Sequence, residues 1–150
     1  MRKTTIIFSR LLFFVIIVGL CASCVSKTKD EKIQKSLIRD TLLEIERAFN
    51  NKDLDGIMKY YHPDFLHNGA ILLDQKWEWQ SRFNAYTLIE FDIRDIQINN
   101  DEAIVWMTIN YYDRVNSTPA LTVIEPETIG DLSYFYHTTR QWTILGNQYR

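Results

Sequence analysis

Three histidines and the carboxylates near them are the side chains of this sequence with acid–base reach. His62 and His67 bracket Pro63-Asp64-Phe65, and His137 lies close to the C-terminus. An imidazole at His67, in a short segment between Phe65 and Gly69, could take or give a proton near neutral pH. Its partner in such work would be Asp92, Asp113 or His137, a contact that spacing in sequence does not establish. The plainer reading of His67 is a hydrogen-bonded wall residue. His62, just before a proline, reads as a cap or a solvent-facing residue, Asp64 as the cap of a turn, and His137 as a surface residue. The three histidines follow no ligand spacing such as His-x-x-x-His, so no metal is expected. Both cysteines, Cys21 and Cys24, lie near the N-terminus, and the rest of the chain holds no thiol nucleophile, disulfide or thiolate metal site. No Ser-His-Asp order is visible, and five glycines leave little room for a phosphate-cradling loop. No cofactor is therefore expected.

Binding chemistry is better represented than catalytic chemistry. Tyr61, Trp106 and Tyr136, with His67, are the candidate ligand-binding residues. An apolar body with a polar tip suits a small apolar or amphipathic ligand, although most of the aromatics must simply fill a core. The formal charge of −2 gives no basic footprint for nucleic acid.

The elements that must position these residues follow from periodicity. Ile38, Leu42, Ile45 and Phe49 recur at helical spacing, with Leu37 and Ala48 widening the stripe, so a helix is predicted over 32–50. Asn50-Asn51-Lys52 breaks it. Asp53 is placed to cap a second helix with Leu54, Ile57, Met58 and Tyr61 on its apolar face, ending at Pro63. Phe65 to Leu73 reads as extended, with a turn at Asn68-Gly69. Asp74 is placed to cap a third helix over about 75–86, with Trp77, Phe83 and Tyr86 turned inward and Trp79 left uncertain. A tryptophan exposed on that helix would mark a cavity rim or a partner surface.

The remainder reads as strands. Ile89, Phe91 and Ile93 alternate, as do Ile96 and Ile98, but the parity flips across Arg94-Asp95, which predicts a β-bulge there. The strand 102–112 puts Ala103, Val105, Met107, Ile109 and Tyr111 on a core face. Its other face, with Ile104, Trp106 and Tyr112, would line a cavity or a dimer contact. A short strand is expected at 121–124 and a last hairpin at 132–137 and 141–145.

At the N-terminus, Arg2, Lys3 and Arg10 precede an apolar run from Leu11 to Leu20, the pattern of a secretory signal. Cys21-Ala22-Ser23-Cys24 resembles a bacterial lipobox, with cysteine where leucine is usual. The resemblance implies a signal peptide over 1–23, lipidation at Cys24, a tether over 24–31 and a domain over 32–150. It places the protein in the bacterial cell envelope as a lipid-anchored membrane protein, facing the periplasm or the cell surface.

Ala48-Phe49-Asn50-Asn51-Lys52-Asp53-Leu54-Asp55-Gly56-Ile57, then Tyr61-His62-Pro63-Asp64-Phe65, and the terminal Gln141-Trp142-Thr143-Ile144-Leu145-Gly146 resemble the NTF2-like (SnoaL-like, cystatin-like cone) superfamily. The resemblance covers about 32–146. It implies an α+β fold, with three N-terminal helices packed on a strongly bent, mainly antiparallel sheet, an open-ended pocket and a homodimer. Over Asn50 to Asp64 the chain resembles ketosteroid isomerase. That enzyme's oxyanion tyrosine falls at Ile45 and its general base at Gly69, so isomerase chemistry by that route is not expected. The function expected is a non-catalytic small-molecule-binding or accessory module. The alternatives are a SnoaL-like cyclase, dehydratase or hydrolase with His67 as acid or base, and a dimeric structural domain.

Overall fold

The computed structural model describes residues 30–114 and 118–149. The expected signal peptide, Cys24 and most of the expected tether lie outside the described residues. The chain divides into two compact units, Met1–Gln34 and Lys35–Arg150. Of the first, residues 30–34 are described, and they are helical, so helix begins inside the expected tether.

Helix α1 covers 30–50. From Lys35 onward Ile38, Leu42, Ile45 and Phe49 are fully buried as expected, with Ala48 beside them, whereas Leu37, expected to widen the stripe, is 45% exposed because it lies one residue off the inward face. Each such side chain contributes about 1.5–3 kcal/mol relative to exposure. The helix is tied to the sheet at its C-terminal end. Asn50 Oδ1 accepts the Ile89 N–H at 2.9 Å and Glu46 Oε2 accepts the Phe91 N–H at 2.9 Å. Helix α2 is Leu54–Met58, and Asp53 caps it by accepting the Gly56 N–H at 2.9 Å. It ends before Pro63 is reached. Ile144 takes the backbone groups on both sides of Tyr61: its N–H donates to Tyr60 O at 2.8 Å and its carbonyl accepts from His62 N at 2.9 Å. Tertiary pairing, not proline, stops this helix.

Strands β1 (Leu66–His67) and β2 (Ala70–Ile71) form a hairpin. Asn68 and Gly69 both have positive φ, 49° and 85°, the backbone demanded by a two-residue turn between such strands. Helix α3 follows directly, Leu72–Ala85. It starts earlier than expected because Asp74 caps it from within the first turn, accepting the Ile71 N–H at 2.9 Å.

The main sheet contains β3 (Leu88–Asn99), β4 (Glu102–Tyr112), β5 (Leu121–Glu125), β6 (Tyr134–His137) and β7 (Trp142–Ile144), all antiparallel. β3 pairs along one edge of β4. The other edge is shared, with β6 on Glu102–Ile104 and β5 on Met107–Tyr111. The register of β3 slips between Ile93 and Asp95, where the parity flip placed the bulge, and Asp95 faces Trp106. The bulge and the change of partner therefore sit at the same level of β4, and the sheet bends there. Ala103, Val105, Met107, Ile109 and Tyr111 all face the core, as their alternation required.

Candidate functional site

Helix α3 turns Gln75, Trp79 and Arg82 inward, at i, i+4 and i+7. Trp77, expected to face inward, is 69% exposed, and Trp79, left uncertain, is 0% exposed. Phe83 and Tyr86 do pack on the core, as expected. Trp79 lies four and seven residues before them and so shares their face, whereas Trp77 lies six before Phe83 and cannot. The spacing contained the answer; the weight given to Trp77 obscured it.

The inward polar groups of α3 meet residues from two other segments. Arg82 Nη2 donates to Asp131 Oδ2 at 2.9 Å, and Gln75 Nε2 donates to the same oxygen at 2.8 Å. Gln75 Nε2 also reaches Tyr61 Oη at 3.1 Å, and Trp79 Nε1 donates to that hydroxyl at 2.9 Å. Arg82 Nε donates to Glu78 Oε1 at 3.0 Å, and its guanidinium lies 4.9 Å from the centre of the Trp79 ring. Arg82 Nη1 is buried without a partner. Burial opposes the charge on Arg82, but Asp131 together with Tyr111, Tyr61 and Glu78 outweighs it and holds the guanidinium protonated. Burial, reinforced by Asp131, pushes the Tyr61 phenol well above its ordinary value.

Behind this cluster, Glu125 at the end of β5 is fully buried. Ser133 Oγ donates to Glu125 Oε2 at 2.7 Å, while Oε1 has no partner. Burial, with a smaller push from Asp131, raises the Glu125 carboxyl to about 7.

Two clefts flank Arg82. One, of about 440 Å³, is lined by His67, Gln75, Glu78, Arg82, Ile129 and Asp131 among others. The other, of about 160 Å³, is lined by Tyr86, Tyr111, Val123 and Ile129 together with Arg82. A larger open groove of about 1050 Å³ lies elsewhere, between α2, the β1–β2 hairpin and the start of α3. The groove holds the greater volume. The 440 Å³ cleft holds the convergent polar groups, and orientation and specificity come from such groups.

The residues singled out from sequence are dispersed. His67 lines the 440 Å³ cleft, and it is wedged in place. Its Nε2 lies 2.7 Å from Ile129 O and its Nδ1 accepts the Asn147 N–H at 3.3 Å, which fixes the proton on Nε2. Gly130 (φ +80°) allows this approach, since a Cβ there would sit 3.2 Å from His67 Cε1. Neither Asp92 nor His137 is its partner: Asp92 stands exposed on β3 and the His137 ring lies 4.8 Å from Trp142. Asp113 follows β4 and is half-buried. His67 is thus hydrogen-bonded through both ring nitrogens where it lines the cleft. Tyr61 is core, its hydroxyl committed to Gln75 and Trp79. Trp106 points to the opposite face of β4, and Tyr136 packs edge-on against His62. His62 Nδ1 accepts the Asp64 N–H at 3.1 Å, which makes it a turn cap. Ile45 is buried in the core and Gly69 is in the hairpin turn, so neither supplies acid–base chemistry.

Sequence reasoning missed Gln75, Arg82, Glu125 and Asp131. The signal for the first two was the i, i+4, i+7 phase with Trp79. Asp131 and Glu125 sit in a stretch with no periodicity to read. Among the described residues no three His, Cys, Asp or Glu side chains converge as metal ligands, and none of the described helices is long and apolar enough to cross a membrane.

No protein-family model matches the chain, and no curated protein matches it. Solved structures do. A protein of unknown function with a cystatin-like fold from Nostoc punctiforme aligns over 76% of this chain and 87% of its own, with TM-score 0.59 at 12% identity. An NTF2-like protein of unknown function from Shewanella oneidensis aligns over 75% and 94%, with TM-score 0.55 at 17% identity. Bd1075 of Bdellovibrio bacteriovorus aligns over 80% of this chain with TM-score 0.56 at 15% identity, and this chain spans 41% of that longer one. Helices on a bent antiparallel sheet, the bulge in β3 and these neighbours together identify the fold of the chain as the NTF2-like, cystatin-like cone.

Proposed function

We propose that the chain is a non-catalytic small-molecule-binding module of the bacterial cell envelope, anchored by lipid on Cys24. The observation that carries this reading is the 440 Å³ cleft with Gln75, Arg82 and Asp131 buried at its wall. A buried ion pair contributes little net stability against an apolar replacement of the same shape, so a role in recognition accounts for it better than a role in folding. The ligand is small and amphipathic, its polar end toward Gln75 and Arg82. Against catalysis stand Ile45 and Gly69 at the isomerase positions, and the commitment of both His67 ring nitrogens.

Native mass spectrometry of residues 25–150, purified gently, tests the reading. An added mass that disappears on denaturation is expected. The double variant Arg82→Met/Asp131→Asn, which removes both charges together, should lose it. An adduct retained by that variant would move the ligand to another hollow, and the absence of any adduct on the wild type would remove the binding reading.

A homodimer is a second part of the proposal. Ile124 and Leu88 are exposed on the outer face of the sheet, in line with Ile104 and Trp106. Sedimentation at micromolar concentration should give a dimer, and Ile124→Glu should give a monomer.

A further inference from the structure

The start of α3 carries a concentration of exposed apolar surface. Ile71 is 52% exposed, Leu73 54% and Trp77 69%. Leu73 and Trp77 are four residues apart on one helix and therefore share a face. Ile71 and Leu73 also line the 1050 Å³ groove, whose wall adds the half-buried Leu66 and Leu72 beside Asp64, Lys76 and Gln148. Soluble surfaces seldom leave three large apolar side chains this exposed in one place.

We infer that this ridge and groove lie against the lipid leaflet, with Trp77 at the headgroup level. The inference rests on the lipid-anchored reading above. Residue 24 is six residues from residue 30, and six residues span at most about 20 Å when extended. A domain on so short a lead stays at the membrane surface, and the side it presents is the one whose burial in lipid is most favourable. Tryptophan prefers that interface, where its ring is apolar and its N–H stays wet. Lys76 stands beside it, half exposed, with its ammonium 3.8 Å from the exposed Asp55 carboxylate and a stem able to lie along apolar surface. Without Arg2, Lys3 and Arg10 of the expected signal peptide, the processed chain has 14 Lys and Arg against 19 Asp and Glu, a net charge of −5, so apolar contact, not attraction to anionic lipid, drives the docking.

The test uses the full processed chain, reconstituted into phosphatidylcholine–phosphatidylglycerol vesicles with acyl chains brominated near the headgroup. Of the four tryptophans, Trp79 and Trp142 are buried and Trp106 is on the sheet's outer face. Bromine should therefore quench wild-type fluorescence relative to unbrominated vesicles, and Trp77→Phe should abolish most of that difference. Leu73→Gln should reduce the quenching while leaving flotation with the vesicles intact. Equal quenching of wild type and Trp77→Phe, with both still floating, would overturn the inference and leave the anchor standing. Trp77 shielded in a dimer, seen by cross-linking of a Trp77→Cys chain to itself, would also overturn it, in favour of a second copy. A wild type that fails to float would remove both the anchor and the inference. A Cys24→Ser chain that still floats and is quenched would keep the docking surface and remove the anchor.

Discussion

On the inner face of α3 stand Gln75, Trp79 and Arg82, and on its outer face stand Leu73 and Trp77. Gln75 and Arg82 put polar groups among the apolar Leu72, Trp79 and Phe83 of the inner face, and Leu73 and Trp77 put apolar ones among the exposed Asp74, Lys76, Glu78, Gln80 and Ser81 of the outer face. An ordinary amphipathic helix carries few such exceptions. The inner face of helix α1 is predominantly apolar, with Ile38, Leu42, Ile45 and Phe49 turned in, while Ile33, Leu37 and Leu43 are exposed elsewhere on it. The contrast lies in the inner faces: that of α3 buries a charged group, Arg82, which a carboxylate from the 126–133 loop meets, and that of α1 buries apolar side chains.

The largest effect should come from unbalancing the inner face. Arg82→Met alone leaves Asp131 buried with only Gln75 to satisfy it, and should cost about 3–5 kcal/mol in urea unfolding. The double variant Arg82→Met/Asp131→Asn removes the uncompensated charge and should recover most of that loss. A single variant as stable as the wild type would mean that the pair does not anchor the inner face, and the contrast between the helices would lose its energetic side.

Glu125 provides a smaller effect with a defined pH dependence. Its carboxyl titrates at about 7 in the folded chain against an ordinary value of 4.5. The folded chain holds this proton more tightly than the unfolded chain does. The associated stability is complete below the unfolded value and is lost as pH rises through about 7. The loss above pH 8 amounts to about 3 kcal/mol as an upper figure. Glu125→Gln, neutral at every pH, should match the wild type near pH 5 and exceed it near pH 9 by up to that amount. Urea midpoints of both chains at the two pH values decide the matter. A wild-type–variant difference that does not change with pH would mean that Glu125 is ionised in the fold throughout.

The fold was largely legible because its signals are periodic. The stripe of α1, the Asp53 cap, the Asn68-Gly69 turn, the face of β4 and the bulge opposite Trp106 each follow from a spacing rule that burial enforces. The end of α2 was not legible, since it depends on Ile144, far away in sequence. The site was hardly legible at all. Gln75 and Arg82 look like solvent residues until a buried carboxylate is known to face them. That carboxylate, Asp131, comes from an irregular stretch whose backbone follows no period. His67 was noticed for its chemistry, and its neighbours Ile129 and Asn147 then proved to occupy both ring nitrogens. Residue type identifies what a side chain can do; only tertiary contacts decide whether it is free to do it.

The sharpest reading of the comparison sets the two tryptophans of α3 side by side. Trp79→Phe removes a fully buried indole and its 2.9 Å hydrogen bond to Tyr61, leaving that hydroxyl with Gln75. It should cost about 1–3 kcal/mol from the void and the lost bond together. Trp77→Phe removes an indole that is 69% exposed, and should change stability by about 0.5 kcal/mol or less. Urea unfolding of the two variants under one condition gives the ratio directly. Equal losses would require Trp77 to be buried in the protein as it occurs in solution, by a second copy or by another part of the chain. A large loss for Trp79 with none for Trp77 leaves the outer ring free of any role in folding, which is the condition under which its exposure calls for a partner.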